Sequence, residues 1–203
     1  MKLGDIKAEA LKLMFINLDQ DIDAGSLADL NYDETYASYL VAMPGSIRRA
    51  LKIVAGKYKL GVKSAELTAE APGKFLTHYT LPADCLKVAR VIKQTGDCVS
   101  NTFDWQQEGK TLLLPTLHRE TDSYRLVYYP KAPDISGIED EKELDVPEEV
   151  AEMIPYYIKG ELYEDDEPGS AAQARNLFEQ WVEGLEDPEE ANPMIEMVYG
   201  WSQ

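Results

Sequence analysis

The chain has 203 residues, of which 37 are acidic and 20 are basic, so its formal net charge at pH 7 is −17. It has no apolar run near the roughly 18 residues that a transmembrane helix needs, and its N-terminus lacks the basic start and long apolar run of a signal peptide. Two cysteines, Cys85 and Cys98, are too few for a disulfide framework. These features argue against a membrane-spanning protein or a disulfide-rich secreted one, and they predict a cytoplasmic product with reduced thiols.

The negative charge is concentrated in the C-terminal third. From Asp134 onward there are 21 acids and 3 bases, whereas residues 1–133 hold the other 16 acids and 17 bases. Such an acidic surface is expected to repel nucleic acid rather than bind it. A solvated, solubilising face is the commoner reason for a charge run, and it stays open here.

Residues 1–59 are predicted to be the N-terminal helices of a helical core. A second helix is expected from about Asp33, which caps it, to Ala42, and Pro44 is expected to end it or to open a third helix. Apolar residues at helical spacing define the buried faces of the first and third helices: Leu3, Ile6, Ala10, Leu13 and Met14, then Ile47, Leu51, Val54 and Tyr58.

The third helix carries the chain's basic face, formed by Arg48, Arg49, Lys52 and Lys59. No acid occurs between Glu34 and Glu66. The pattern indicates a contact with something acidic, either nucleic acid or the C-terminal third of a neighbouring copy. An ordinary solvated helix face explains the same residues about as well.

Residues 60–133 are predicted to form an inserted antiparallel β-domain. Six runs rich in β-branched and aromatic residues follow one another, separated by turn signals, and Gly96-Asp97 favours a hairpin. About six short antiparallel strands are therefore predicted, which is enough for a small sandwich or barrel. The runs read SAELTAE, FLTHYTL, CLKVARVIK, CVSNTFDWQ, KTLLLP and YRLVYYP.

Residues 134–186 are predicted to be an acidic linker and a helical hairpin that completes the core. Asp145 is expected to cap the first helix, Pro155 to kink it, and Ser170 to cap the second helix. The acidic turn between the helices consists of Glu164, Asp165, Asp166 and Glu167, and it suggests that the helices pack antiparallel. The second helix has the predicted apolar stripe Ala174, Leu177, Phe178, Trp181 and Leu185.

Residues 187–203 are predicted to be an extended C-terminal arm, since two prolines and few helix signals occur there. The arm contains an apolar cluster that either docks on its own core or anchors to a partner. Its members are Met194, Ile195, Met197, Val198, Tyr199 and Trp201. The chain as a whole is therefore predicted to be α+β, with a helical core of about four to five helices, an inserted small antiparallel β-domain and an extended tail.

No catalytic, metal-binding or cofactor-binding motif is evident in the sequence. The two histidines, His78 and His118, have no metal-ligand spacing with the cysteines, and no glycine-rich phosphate loop or nucleophile elbow occurs. Asp19, Asp21 and Asp23 alternate as in a calcium loop, but the glycine and glutamate that such a loop requires are replaced. No catalytic residue, metal or cofactor is predicted.

The order of these elements resembles the head-to-tail connector proteins of tailed bacteriophages, also called adaptor or neck proteins. Four parts carry the resemblance and together cover nearly the whole chain. They are the N-terminal helices with YASYLVAMPGSIRRALKIVA, the β-insert from LPADCLKVARV through DWQQEGKTLLL to YRLVYYPKAP, the hairpin from LDVPEEV to WVEGL, and the tail.

The resemblance implies a structural virion protein without enzymatic activity. In such proteins the helical core builds a ring, usually a dodecamer, under the portal, and DNA passes through it without sequence-specific binding. The portal and a downstream tail or neck protein would be the partners, and the cluster in the tail would bind the portal. The charge split adds the hypothesis that the basic face meets the acidic hairpin of a neighbouring subunit and that the surplus acidic residues line the channel. The protein would be made in the bacterial cytoplasm and located at the head–tail interface of the virion.

Two other interpretations are kept as alternatives. An acidic regulator that occupies the basic site of a nucleic-acid-binding partner would explain the net charge. A small hydrolase or nuclease with dispersed carboxylates would show a metal-dependent activity that one carboxylate substitution abolishes.

Overall fold

The protein is described by a computed structural model that covers residues 1–15, 22–71, 73–117 and 122–186. Its helices and two small antiparallel sheets confirm the α+β class. The described residues divide into two compact units. The helical unit comprises Met1–Leu60 and Ala132–Glu186, and the β unit comprises Gly61–Lys131.

The helical unit is built from both ends of the chain. Its described helices are α1 (Leu3–Met14), a 3-10 turn (Ala24–Ser26), α2 (Leu27–Leu30), α3 (Glu34–Gly56), α4 (Glu148–Leu162) and α5 (Pro168–Gly184). Backbone hydrogen bonds join α1 to the acidic linker, with Leu3 N donating to Lys142 O at 3.0 Å and Gly4 N to Asp140 O at 2.8 Å. One apolar core contains residues of all five helices.

The separate second and third helices predicted around Pro44 are wrong, because α3 is one helix of 23 residues that contains this proline. Asp33 caps it as predicted, with its carboxylate accepting a hydrogen bond from Thr35 N at 2.8 Å. A proline removes one backbone hydrogen bond, but burial of a continuous apolar face offsets that loss. This face consists of Leu40, Met43, Ile47, Ala50, Leu51 and Val54.

The predicted antiparallel hairpin is present in α4 and α5. Tyr157 contacts Phe178, Tyr156 contacts Trp181, and Gly160 faces Arg175, so residue numbers rise along one helix as they fall along the other. The predicted caps are wrong. Pro147, not Asp145, precedes α4, and α5 begins at Pro168, which places Ser170 inside it.

The apolar stripe predicted for α5 is partly wrong. The helix buries Ala171, Ala174, Phe178 and Val182, and it leaves Leu177 and Trp181 about two-fifths exposed. Phe178 is the large side chain that this helix buries, and the other buried residues are alanines and a valine. Leu177 and Trp181 lie at the margin of the contact, where they remain partly available to solvent.

The β unit contains two four-stranded antiparallel sheets in the described residues. The first has the order β1-β8-β4-β5 and the second β2-β3-β7-β6. The strands are β1 (Lys63–Glu66), β2 (Ala69–Ala71), β3 (Leu76–Thr80), β4 (Cys85–Thr95), β5 (Cys98–Thr102), β6 (Gln106–Glu108), β7 (Thr111–Pro115) and β8 (Asp122–Pro130). The two sheets share one apolar core, in which Tyr79 of one contacts Tyr124 of the other, as in a small sandwich.

The prediction of about six strands is an underestimate, because two of the six runs each divide between the two sheets and the described residues contain eight strands. SAELTAE supplies β1 to one sheet and β2 to the other, and CVSNTFDWQ supplies β5 and β6 in the same way. The predicted hairpin at Gly96-Asp97 is confirmed, with Thr95 paired to Cys98 and Gly96 at a positive φ of 58°.

Candidate interaction surfaces of the helical unit

Two of the four residues of the predicted basic face hold the unit together. Arg49 Nε lies 2.6 Å from a carboxylate oxygen of Glu161 on α4. Lys59 Nζ donates a hydrogen bond of 2.5 Å to Leu185 O at the end of α5, where a cation is favoured by the helix dipole. Arg49 therefore joins α3 to the hairpin, and Lys59 joins the segment just after α3 to it.

The other two residues, Arg48 and Lys52, are exposed on the surface of α3. Arg48 Nε donates to Pro44 O at 3.2 Å, one turn earlier. Hydrogen bonds from Ser136 hold the pKa of Asp134 below its ordinary value, and Arg48 contributes in the same direction. No hydrogen bond or ion pair joins Lys52 to another described residue.

Two of the four residues of the acidic turn bind other residues of the helical unit. Glu164 pairs with Arg175 at 2.9 Å, and the Tyr39 hydroxyl donates a hydrogen bond to Asp166. Burial, reinforced by this hydrogen bond, raises the pKa of Tyr39 to about 12. Asp165 and Glu167 are exposed, so they are the turn residues that remain available to a partner.

Arg175 joins the two helices of the hairpin at a point where their backbones pass close together. Its Nη2 atom donates a hydrogen bond of 2.7 Å to Gly160 O and another of 2.9 Å to Glu164. A Cβ added at Gly160 would lie 3.0 Å from both the Cβ and the backbone N of Arg175. Glycine is needed here because the backbone of α5 occupies the space of a side chain.

An open groove at the other end of the hairpin was not predicted from the sequence. It has a volume of about 330 Å³ and lies between the start of α4 and the end of α5. Its lining combines apolar and acidic residues: Glu149, Glu152, Met153, Gln180, Trp181, Gly184 and Leu185. The apolar spacing of α5 gave no signal for it, because the predicted stripe placed Trp181 in the core.

The indole of Trp181 forms one wall of this groove. It is 40% exposed and contacts the Tyr156 ring edge-on, with 4.8 Å between the ring centroids and an interplanar angle of 74°. Met153 is buried beneath it, and Glu149 and Glu152 are exposed on the α4 side. A groove with an aromatic wall and carboxylates at its rim suits a long side chain with an apolar stem and a cationic head.

The predicted portal-binding cluster (Met194, Ile195, Met197, Val198, Tyr199 and Trp201) lies outside the described residues. So does His118, whereas His78 is exposed on β3. Burial raises the pKa of the Cys85 thiol. Among residues 1–15, 22–71, 73–117 and 122–186, no three His, Cys, Asp or Glu side chains converge as metal ligands would.

No helix in the described part of the chain has both the length and the apolar character needed to cross a lipid bilayer. Comparison of the sequence with protein-family models and with curated proteins finds no match in either case.

Proposed function

We propose that this protein is a structural head-to-tail connector of a tailed bacteriophage. It forms a ring, usually a dodecamer in proteins of this kind, beneath the portal. The ring extends the DNA channel and joins the head to a downstream tail or neck protein. Its place is the neck of the virion, and its role is architectural rather than catalytic.

The observation that carries the proposal is the way the chain is divided. A helical unit made from residues near both ends is interrupted by an antiparallel β unit, and the acidic linker and the hairpin follow the insertion. This is the order of elements on which the resemblance to connector proteins rests. A fold alone does not determine function, so the deciding property is assembly on the portal.

The charge distribution supports a role in a DNA channel. The C-terminal third holds 21 of the 37 acids and 3 of the 20 bases. Carboxylates that face a channel repel phosphate groups, so DNA slides past them without binding. The same surface disfavours sequence-specific recognition, which depends on basic side chains that contact phosphates and bases.

The apolar cluster from Met194 to Trp201 is the portal anchor in this proposal. Six apolar or aromatic residues occur within eight positions of the sequence, and tyrosine and tryptophan, here Tyr199 and Trp201, are among the residue types that contribute most to interfaces.

The proposal is tested by mixing the full-length protein with the portal complex from the same genome and imaging the mixture by electron microscopy. A version that ends at Asp187 is the matched sample, because it keeps the whole helical hairpin. We expect a ring stacked on the portal with the full-length protein and no ring with the shortened one. If both versions form rings on the portal, the connector role stands, but the tail is not the portal anchor.

The absence of association in both samples would contradict the connector role. The uneven charge then favours the second candidate, an acidic regulator that binds a basic nucleic-acid-binding protein. A soluble complex of one copy of each protein, dissociated by salt, would support that alternative.

A further inference from the structure

The acidic groove between α4 and α5 carries carboxylates without a described cationic partner. The hairpin has two bases of its own, and both are directed elsewhere. Lys159 Nζ donates to Leu13 O at 2.6 Å, and Arg175 binds Gly160 O and Glu164. Within the described residues, Glu149 and Glu152 form no ion pair, so the groove keeps its full negative charge for a partner.

The exposed side of α3 has the opposite character. Val41, Gly45, Arg48 and Lys52 follow one another at intervals of four, three and four residues, which places them on one face of the helix. Val41 is 81% exposed, although it is apolar. This outer stripe of α3 offers an apolar contact followed by two cations, on a helix whose opposite side is fixed in the core.

We infer that the outer stripe of α3 in one copy docks on the α4–α5 groove of a neighbouring copy, with Lys52 as the side chain that enters the groove. The Lys52 stem would pack against Trp181 and Met153, and its ammonium group would approach Glu149 and Glu152. Arg48, one turn away, would lie at the acidic rim. This inference rests on the proposed function, and it specifies which surfaces join the subunits of the ring.

The occupant is a second copy because the complementary charges belong to the same chain but do not meet within it. Lys52 is not among the residues that line the groove of its own chain. The contact joins two different surfaces, so each copy uses its α3 stripe with one neighbour and its groove with the other. Such a head-to-tail arrangement is what a closed ring requires. The opposite charges also set the register of neighbouring subunits and make the contact sensitive to salt.

The contact is tested with two charge reversals, Lys52→Glu and Glu152→Lys. The matched controls are Lys57→Glu, on an exposed residue just after the same helix, and Glu179→Lys, on an exposed residue of α5. Association of each protein alone is measured by sedimentation over a range of concentrations, and ring formation on the portal complex is measured by electron microscopy. Thermal unfolding of every variant checks that it is folded.

Each reversal alone is expected to weaken association by about tenfold or more, since it places like charges in the contact, whereas the controls assemble as the parent does. An equal mixture of the two reversed proteins is expected to assemble again. In an alternating ring, the reversed α3 stripe of one variant meets the reversed groove of the other, and the unmodified stripes likewise meet unmodified grooves. A role limited to folding would give no such rescue.

Two results would overturn the inference. One is parent-like assembly of both reversed proteins. The other is loss of assembly that the mixture does not restore, which would show that the two reversed side chains do not meet across the contact between subunits. The proposed function fails separately, when the parent protein associates with itself but forms no ring on the portal.

Discussion

Replacing Gly160 with alanine is expected to destabilise the protein, although the same change stabilises most helices. Glycine inside a helix costs about 0.5–1 kcal/mol relative to alanine, so an added methyl group normally raises the free energy of unfolding. At Gly160 the new Cβ would lie 3.0 Å from the Cβ and N of Arg175 and 3.1 Å from its Cα. These are atoms of the α5 backbone and its first side-chain carbon, so they cannot rotate away.

The size of the effect follows from two opposing contributions. Overpacking a close contact costs about 1–3 kcal/mol, which exceeds the gain in helix propensity. Separation of the helices would also lengthen the 2.7 Å hydrogen bond from Arg175 to Gly160 O. We therefore expect Gly160→Ala to lower the free energy of unfolding by about 1 kcal/mol, and Gly160→Leu to lower it more.

Gly56→Ala is the matched control. Gly56 is the last residue of α3, and no atom lies within 4 Å of a Cβ added there. This substitution is expected to be neutral or to stabilise by up to about 1 kcal/mol. Urea unfolding followed by the helical circular dichroism signal measures both changes. The dependence of the free energy of unfolding on urea concentration should be the same for the parent and both variants. Equal stabilisation by the two substitutions would refute the close approach of α4 and α5.

Phe178→Ala removes a 1% exposed ring that contacts Tyr157, and it should lower the free energy of unfolding by about 3–5 kcal/mol in the same urea assay. Tyr58 has a φ of 61° just after α3, a left-handed conformation that is unfavourable for a residue with a side chain. Tyr58→Gly should therefore raise the free energy of unfolding by up to about 1 kcal/mol in the urea assay. Burial, with hydrogen bonds to Asp166 and Asp84, raises the pKa values of Tyr39 and Tyr128 to about 12. The unfolded chain loses these protons near pH 10, so the free energy of unfolding should be unaffected below about pH 10 and should fall as the pH rises towards 12. Titration of tyrosinate absorbance should show both tyrosines ionising at a higher pH than free tyrosine.

The sequence was informative about the kinds of elements and less informative about their ends. The apolar spacing in α4 and the acidic turn predicted the antiparallel hairpin, because both signals are local. The single helix α3 was missed because Pro44 is a local signal for a helix break. The buried face of α3 continues past this proline because it packs against the other helices in the core. Tertiary packing outweighed local propensity at this point.

The β unit shows the same limitation in its strands. SAELTAE and CVSNTFDWQ each have the composition of one strand, and composition does not show that a chain passes from one sheet to another. At the second crossing Phe103 is 87% exposed between β5 and β6, so a residue favourable for strands marks the interruption. Strand pairing decides such boundaries, and pairing depends on residues distant in the sequence.

The sequence predicted which residues of the candidate surfaces are charged, but not which of them are free to bind a partner. Arg49 and Lys59 belong to the basic face by sequence, but they bind Glu161 and Leu185 O, which lie far along the chain. The sequence pattern of the predicted third helix did not distinguish these two cations from Lys52. The groove at Trp181 was missed for a related reason, since its walls come from two helices whose register the apolar pattern did not define.

Labelling of purified virus particles with an antibody against this chain tests the central claim most directly. For a connector, the label is expected at the junction between head and tail, and the protein is expected to remain with the particles through purification. Particles without label, together with recovery of the chain from infected cells in complex with a basic DNA-binding protein, would contradict the connector role.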